Sequence, residues 1–449
     1  MGLHDDCVYL GILLFSFAVS RFVKNFPHRD VSSALLGTFL IVAICGRQLL
    51  YSLICVIGNL VIFKLCDYRK IHLASLGFTF GYLAFCRCSH FLYLPRLLPH
   101  ANAVQLLMTL RCIGLAFEIH DSLASKKNEN QTENKRFIKI PSISQAFCYL
   151  YNYGGLFTGP YYSYQTHYGM VHAKDLSRVS SFDYISSRLS GVPLYISIFL
   201  FTSSYFPVEA AHSEEFYADY SFLQRFLYMV PVFVTLRMRV YIAWSIAECV
   251  CISGGLGAYP ANSKPRTGAG PTDLATLRKY EENGGECSDY SFETVRNIDI
   301  NGSEFALTLR EGMRSWNKSV QYWLATYIYK RIPDKSIRLP ITMLVSAFWH
   351  GIHPGYYLAF LTIPLCTYAE DLIIDRFQLG SGRATTAYAG DRGDGKLPHA
   401  KDVLKLNSWE FCWWFATRRC LESMAMGFLL LRVRETGAAA GFLNTDDIR

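Results

Sequence analysis

Between Leu339 and Ala369 the chain runs for 31 consecutive residues without Asp, Glu, Lys or Arg. An uncharged run of that length belongs in a membrane. As a single helix it would extend about 46 Å, well past the roughly 30 Å hydrocarbon core. Gly351, Pro354 and Gly355 stand near its middle. Proline lacks an N–H and clashes with the preceding turn, so the helix is expected to break or kink there. Irregular backbone at membrane depth persists only where protein or a water-filled cavity satisfies it. The sequence therefore predicts a broken helix with a polar cavity beside His350 and His353.

Apolar windows recur along the rest of the chain, at 8–19, 31–45, 49–63, 73–85, 104–117, 147–157, 192–206, 222–236, 241–256, 321–329 and 423–431. Several fall short of the 20 or so residues a full span needs, and these read as tilted, re-entrant or interfacial. The fold class is an all-α polytopic membrane bundle of roughly eight to eleven segments with broken or re-entrant helices. Composition agrees, with 51% hydrophobic and only 18% charged residues. Aromatics at 15% suit interfacial belts. A net charge of +8 invites a nucleic-acid reading, but no dense Lys/Arg cluster carries it. Cys45, Cys55, Cys112, Cys148 and Cys366 lie inside apolar runs and no CxxC occurs, which argues against a disulfide or zinc framework. Asp5 and Asp6 before the first window, with no small-x-small site after it, argue against a cleaved signal peptide.

The expected organisation is one membrane domain over 1–431, with polar loops at 260–310 and 379–402 and a divergent polar tail at 432–449. Lys/Arg are enriched in the first, third and fifth connections, which places those loops in the cytosol and the N-terminus across the membrane. Asn130-Gln131-Thr132 is a glycosylation sequon that this topology leaves unmodified.

Ionisable residues inside a membrane are rare and default to function, and only histidine titrates near neutrality unaided. His350 and His353 are therefore the candidate proton acceptors. As a metal pair they have no third ligand nearby, so no metal is expected. A second constellation runs from Arg314 to Trp323, where Trp316, Val320, Trp323 and Tyr327 recur at helical spacing with Asn317 at the edge of the stripe. Pattern alone reads this as an interfacial amphipathic helix.

Trp349-His350-Gly351-Ile352-His353-Pro354-Gly355-Tyr356, preceded by Trp316-Asn317, resembles the membrane-bound O-acyltransferase family. Gly159-Pro160-Tyr161-Tyr162-Ser163-Tyr164, Arg237-Met238-Arg239-Val240-Tyr241 and Arg296-Asn297-Ile298-Asp299 resemble further family segments. The likeness runs to about Leu431 and is nearest to the lysophosphatidylinositol-acylating branch.

The resemblance implies a helical bundle around a transmembrane tunnel, with His350 as catalytic histidine and Asn317 as its partner. It implies acyl transfer from acyl-CoA, a co-substrate, to the hydroxyl of lysophosphatidylinositol. A polyunsaturated, arachidonoyl-type chain and an endoplasmic reticulum membrane are the expected setting, with no bound cofactor. Trp316, Trp349, His353, Tyr356, Arg314, Arg237, Arg239 and Tyr241 are the candidate substrate contacts, although His353, directly before Pro354, also reads as structural. Arg237, Arg239, Lys318, Lys330 and Arg331 are candidates by charge for coenzyme A, with interfacial snorkelling the alternative. Tyr149, Tyr151, Tyr153, Tyr161, Tyr162 and Tyr164 line the tunnel or form an aromatic girdle. A protein-acylating enzyme of the same family and a transporter with broken helices are the rival functions. The tail from Arg432 departs from the apolar sequence with which the family continues.

Overall fold

The computed structural model describes residues 3–125, 137–174, 176, 179–283, 287, 289–377 and 408–431. The Asn130 sequon, the loop at 379–402 and the tail from Arg432 lie outside these residues. Among the described residues the chain is almost wholly helical, its one sheet being the antiparallel pair Tyr259–Pro260 and Tyr290–Ser291. Seven stretches are long and apolar enough to cross a membrane: His4–Val23, Arg29–Leu65, Ile71–Cys88, Pro99–Ser125, Phe182–Tyr205, Phe222–Ser253 and Pro354–Arg376. Outward-facing Leu35, Phe39, Leu65, Phe201, Leu365 and Tyr368 are more than half exposed, as lipid contact allows and water does not.

Two compact units form. The first takes in the chain up to Val192, Ala243–Asn297 and Ser319–Tyr327. Its centre is the helix Pro99–Ser125, which buries Arg111 completely. The guanidinium donates to the carbonyls of Leu150, Asn152 and Gly154 and lies 4.8 Å from the Tyr162 ring, so backbone dipoles and a π face replace its hydration. The six tyrosines from Tyr149 to Tyr164 are all buried in this core rather than forming an exposed girdle. Tyr149 donates to the Tyr162 carbonyl at 2.7 Å and Tyr161 to the Tyr327 hydroxyl at 3.4 Å.

Two expectations change within this unit. The 260–297 portion of the polar loop is not simply surface, because Phe292 and Val295 are fully buried in the core cluster. Its Asn297 N–H donates to Glu248 at 2.6 Å, and Ser319 donates to the Asn297 side chain. Likewise Lys318–Tyr327 is no interfacial helix. Val320, Trp323, Leu324 and Tyr327 are buried, and Trp323 Nε1 donates to the Leu110 carbonyl at 2.9 Å.

The second unit comprises Pro193–Ile242, Ile298–Lys318 and the chain from Ile328. The windows at 222–236 and 241–256 belong to one helix, Phe222–Ser253. Arg237 does not interrupt it, because two carboxylates neutralise the guanidinium inside the unit. The helices Arg338–His350, Pro354–Phe377 and Ser408–Leu430 complete this unit, the last beginning well before the apolar window at 423–431.

Candidate active site

The uncharged run breaks where Gly351 and Pro354 predict. The first helix ends at His350, and Gly351 is extended (φ 178°, ψ 176°) with its N–H on the Ala347 carbonyl at 2.9 Å. Pro354 opens the next helix, where its missing N–H would have no helical acceptor and its fixed φ suits the first turn. A side chain on Gly351 would run into the Tyr356 ring, so glycine lets the two helices fold this closely. The break leaves His350 half-buried at a helix terminus, turned onto the helix that follows.

Its neighbours are aromatic. Phe360 stacks on the imidazole at 5.1 Å and 22°, Phe428 meets it edge-on at 5.0 Å, and Trp349 and Tyr356 lie at 4.6 and 6.0 Å. The sequence predicts a polar cavity beside both histidines; the rings that the fold brings against half-buried His350 are aromatic, because the break carries Tyr356 and Phe360 onto it. His353 is exposed, and its backbone carbonyl accepts the Tyr356 N–H at 3.1 Å, closing the turn into the next helix. Trp349 is buried at 6% exposure and Tyr356 half-buried.

This seat depends on a helix crossing. Gly355 and Gly427 meet backbone to backbone, and the Gly355 N–H donates to the Leu431 carbonyl at 3.0 Å. A β-carbon on Gly427 would sit 2.6 Å from the Gly355 carbonyl oxygen, which no side-chain motion relieves. Small residues let membrane helices approach in this way. Gly427→Ala is expected to cost about 1–3 kcal/mol through overpacking and to move Phe428 off the imidazole. A lowered melting temperature in detergent, together with lost activity, checks it; an unchanged melting curve refutes the crossing.

Asn317 is not part of a helix. Trp316 and Asn317 form a two-residue link between the helices Leu309–Ser315 and Lys318–Tyr327, and Asn317 has φ +45°. Asparagine is among the few residues that adopt this left-handed conformation readily. The Ser315 carbonyl accepts the Asp299 N–H at 2.9 Å, tying the Ile298-Asp299 part of the family-like segment to this link. Trp316 and Asn317 are both half-buried. Both Asn317 and His350 fall in the second unit.

Two candidate substrate contacts are reassigned. Arg237 is only 8% exposed, with Nε 3.1 Å from Glu304 and Nη1 2.9 Å from Glu422, so its charge is already matched and does not await a coenzyme A phosphate. Tyr241 is fully buried and its hydroxyl donates to Glu304 at 2.5 Å, which removes it from substrate. Arg314, Lys330 and Arg331 are exposed, and Arg239 and Lys318 are half-buried. Another conspicuous histidine is a poor base: burial, helped by Arg111, pushes His167 down to about 3.

Sequence reasoning misses Phe360, Phe428, Glu304, Arg418 and Glu422. For the last two a signal exists, since Arg418, Arg419 and Glu422 sit just ahead of the apolar 423–431 window, and charges in such a place ask for partners. The two phenylalanines carry no signal, because Phe is common throughout.

A family model described as the membrane-bound O-acyltransferase family matches residues 92–389. The membrane-bound acylglycerophosphatidylinositol O-acyltransferase of Xenopus laevis is 40% identical over 442 residues, covering 96% of this chain and 89% of that protein. The Homo sapiens protein of that name is 37% identical with the same coverage. The Caenorhabditis elegans one is 38% identical over 376 residues, 82% of this chain and 80% of its own length. With that match, and with the histidine break and the Trp-Asn link both in place, the chain belongs to the membrane-bound O-acyltransferase family.

Proposed function

We propose that this protein transfers a fatty acyl group from acyl-CoA to the free hydroxyl of lysophosphatidylinositol, forming phosphatidylinositol. The names of the relatives support the acceptor. The observation that carries the chemistry is the imidazole of His350, seated among aromatic rings at a helix break in the same unit as Asn317. Acyl-CoA as donor, a polyunsaturated arachidonoyl-type chain and an endoplasmic reticulum membrane complete the reading.

A lipid hydroxyl is a weak nucleophile toward a thioester. His350 takes its proton as the oxygen attacks the carbonyl carbon, contributing about 10²–10⁴-fold. The carbonyl oxygen becomes an oxyanion, to which the Asn317 amide N–H donates a hydrogen bond. The C–S bond then breaks, and the imidazolium returns its proton to the departing thiolate. An ester and free coenzyme A result. Aromatic neighbours lower the polarity around the imidazole and so strengthen these charge interactions.

Membranes carrying the protein, given labelled lysophosphatidylinositol and a panel of acyl-CoAs, are expected to form labelled phosphatidylinositol, fastest with arachidonoyl-CoA. Other lysophospholipids in parallel test the headgroup. No transfer to any lysolipid overturns the proposal in favour of a peptide acceptor or transport.

A further inference from the structure

Separate elements of the second unit converge on the carboxylate of Glu304, at the end of the short helix Ile300–Glu304. Its Oε1 accepts from the Tyr241 hydroxyl at 2.5 Å and lies 3.1 Å from Arg237 Nε. Its Oε2 is 2.8 Å from Arg418 Nη2. Arg237 reaches on to Glu422 at 2.9 Å, which also accepts from Arg419 at 3.0 Å. Arg237, Arg418 and Glu422 are 8, 5 and 4% exposed. An ion group buried this deeply is a poor source of net stability, since desolvation offsets the attraction and apolar residues often do as well. Its geometry is what apolar residues would not reproduce.

That geometry leads to Asn317. The Tyr241 ring lies 5.9 Å from the ring of Trp316, the residue before Asn317, and is backed by Tyr195 at 5.6 Å. The last helix also grips the chain that leads to the link. Trp414 Nε1 donates to the Glu304 carbonyl at 3.0 Å, Thr417 to that of Leu307 at 3.1 Å, and Arg418 to that of Ser303. Glu370 accepts the Leu309 N–H at 2.8 Å, where the helix ending at Ser315 begins. None of these groups belongs to the proposed catalytic pair, and together they brace the chain that leads into the Trp316-Asn317 link.

We propose that Glu304 and Tyr241 are positioning residues: the buried ion group holds Tyr241, whose ring sets Trp316 and thereby the Asn317 amide. The inference rests on Asn317 as oxyanion donor. It predicts that Tyr241→Phe, which removes one oxygen, lowers kcat by about 10–100-fold, as a lost supporting contact does. KM for lysophosphatidylinositol and for arachidonoyl-CoA should stay within about twofold, and the melting temperature should fall only by what one lost hydrogen bond removes, because the ring and the ion pairs remain.

The test uses full-length protein and compares Tyr241→Phe, Trp316→Leu and the double variant, with Glu304→Gln alongside. Since both side chains act through one amide, the double variant should lose no more than the worse single. Wild-type kcat in Tyr241→Phe, losses that multiply in the double variant, or a loss that follows only melting temperature overturns the proposal. If Glu304→Gln does not accumulate, the tyrosine variants still decide. Wild-type kcat in Asn317→Asp would instead overturn the role of Asn317 itself, a different result from a silent Tyr241→Phe.

Discussion

His350→Ala is expected to lower acyl transfer by about 10²–10⁴-fold, while His353→Ala stays near the parent rate. The two histidines are three residues apart and chemically identical, so the contrast tests placement alone. His350 ends a helix and stacks on Phe360, whereas His353 is exposed in the link and serves the Pro354 helix through its backbone carbonyl. Alanine at 353 keeps that carbonyl, so the turn survives. Initial rates with lysophosphatidylinositol and arachidonoyl-CoA, at matched protein, measure both. Full activity in the His350 variant would sink the assignment.

The second large effect is at Asn317, where the usual alanine is a poor choice. At φ +45° alanine lacks the short polar side chain that lets asparagine hydrogen-bond locally in this conformation, and the added strain, up to roughly 1–2 kcal/mol, would mix backbone disruption with lost chemistry. Glycine accepts the same backbone without strain, and aspartate tolerates it while replacing the amide donor with an acceptor-only carboxylate. Asn317→Gly and Asn317→Asp are each expected to lower kcat by about 10²–10³-fold with the protein still accumulating. Aspartate should be the worse, since it places negative charge where the oxyanion forms. Single-turnover rates in detergent distinguish the two, and equal activity in Asn317→Asp and the parent would exclude an oxyanion role.

What the sequence reveals and conceals divides by range. The break at Gly351 and Pro354 is legible because proline and glycine act on their own backbone. So is the uncharged run that makes a break necessary. The single helix over 222–253 is not legible, since Arg237 looks like a loop charge until Glu304 and Glu422 arrive from far along the chain. The periodicity of Val320, Trp323 and Tyr327 correctly marks a helix and an apolar stripe, but a stripe does not say whether lipid headgroups or a protein core covers it. It also carries past Trp316, whose backbone is extended, and Asn317, whose backbone is left-handed. Polar composition at 260–297 suggests a surface loop because Phe292 and Val295 are isolated apolar residues whose burial only the fold reveals.

The rings around His350 bear on a side reaction. A base strong enough to activate a lipid hydroxyl also activates water, and hydrolysis of the thioester would waste the acyl donor without making lipid. Phe360, stacked on the imidazole, and Phe428, set at 80° to it, take up part of the space around a half-buried ring. Under the proposed mechanism, selectivity for ester formation over free fatty acid would then rest in part on two side chains that never touch the bond being made.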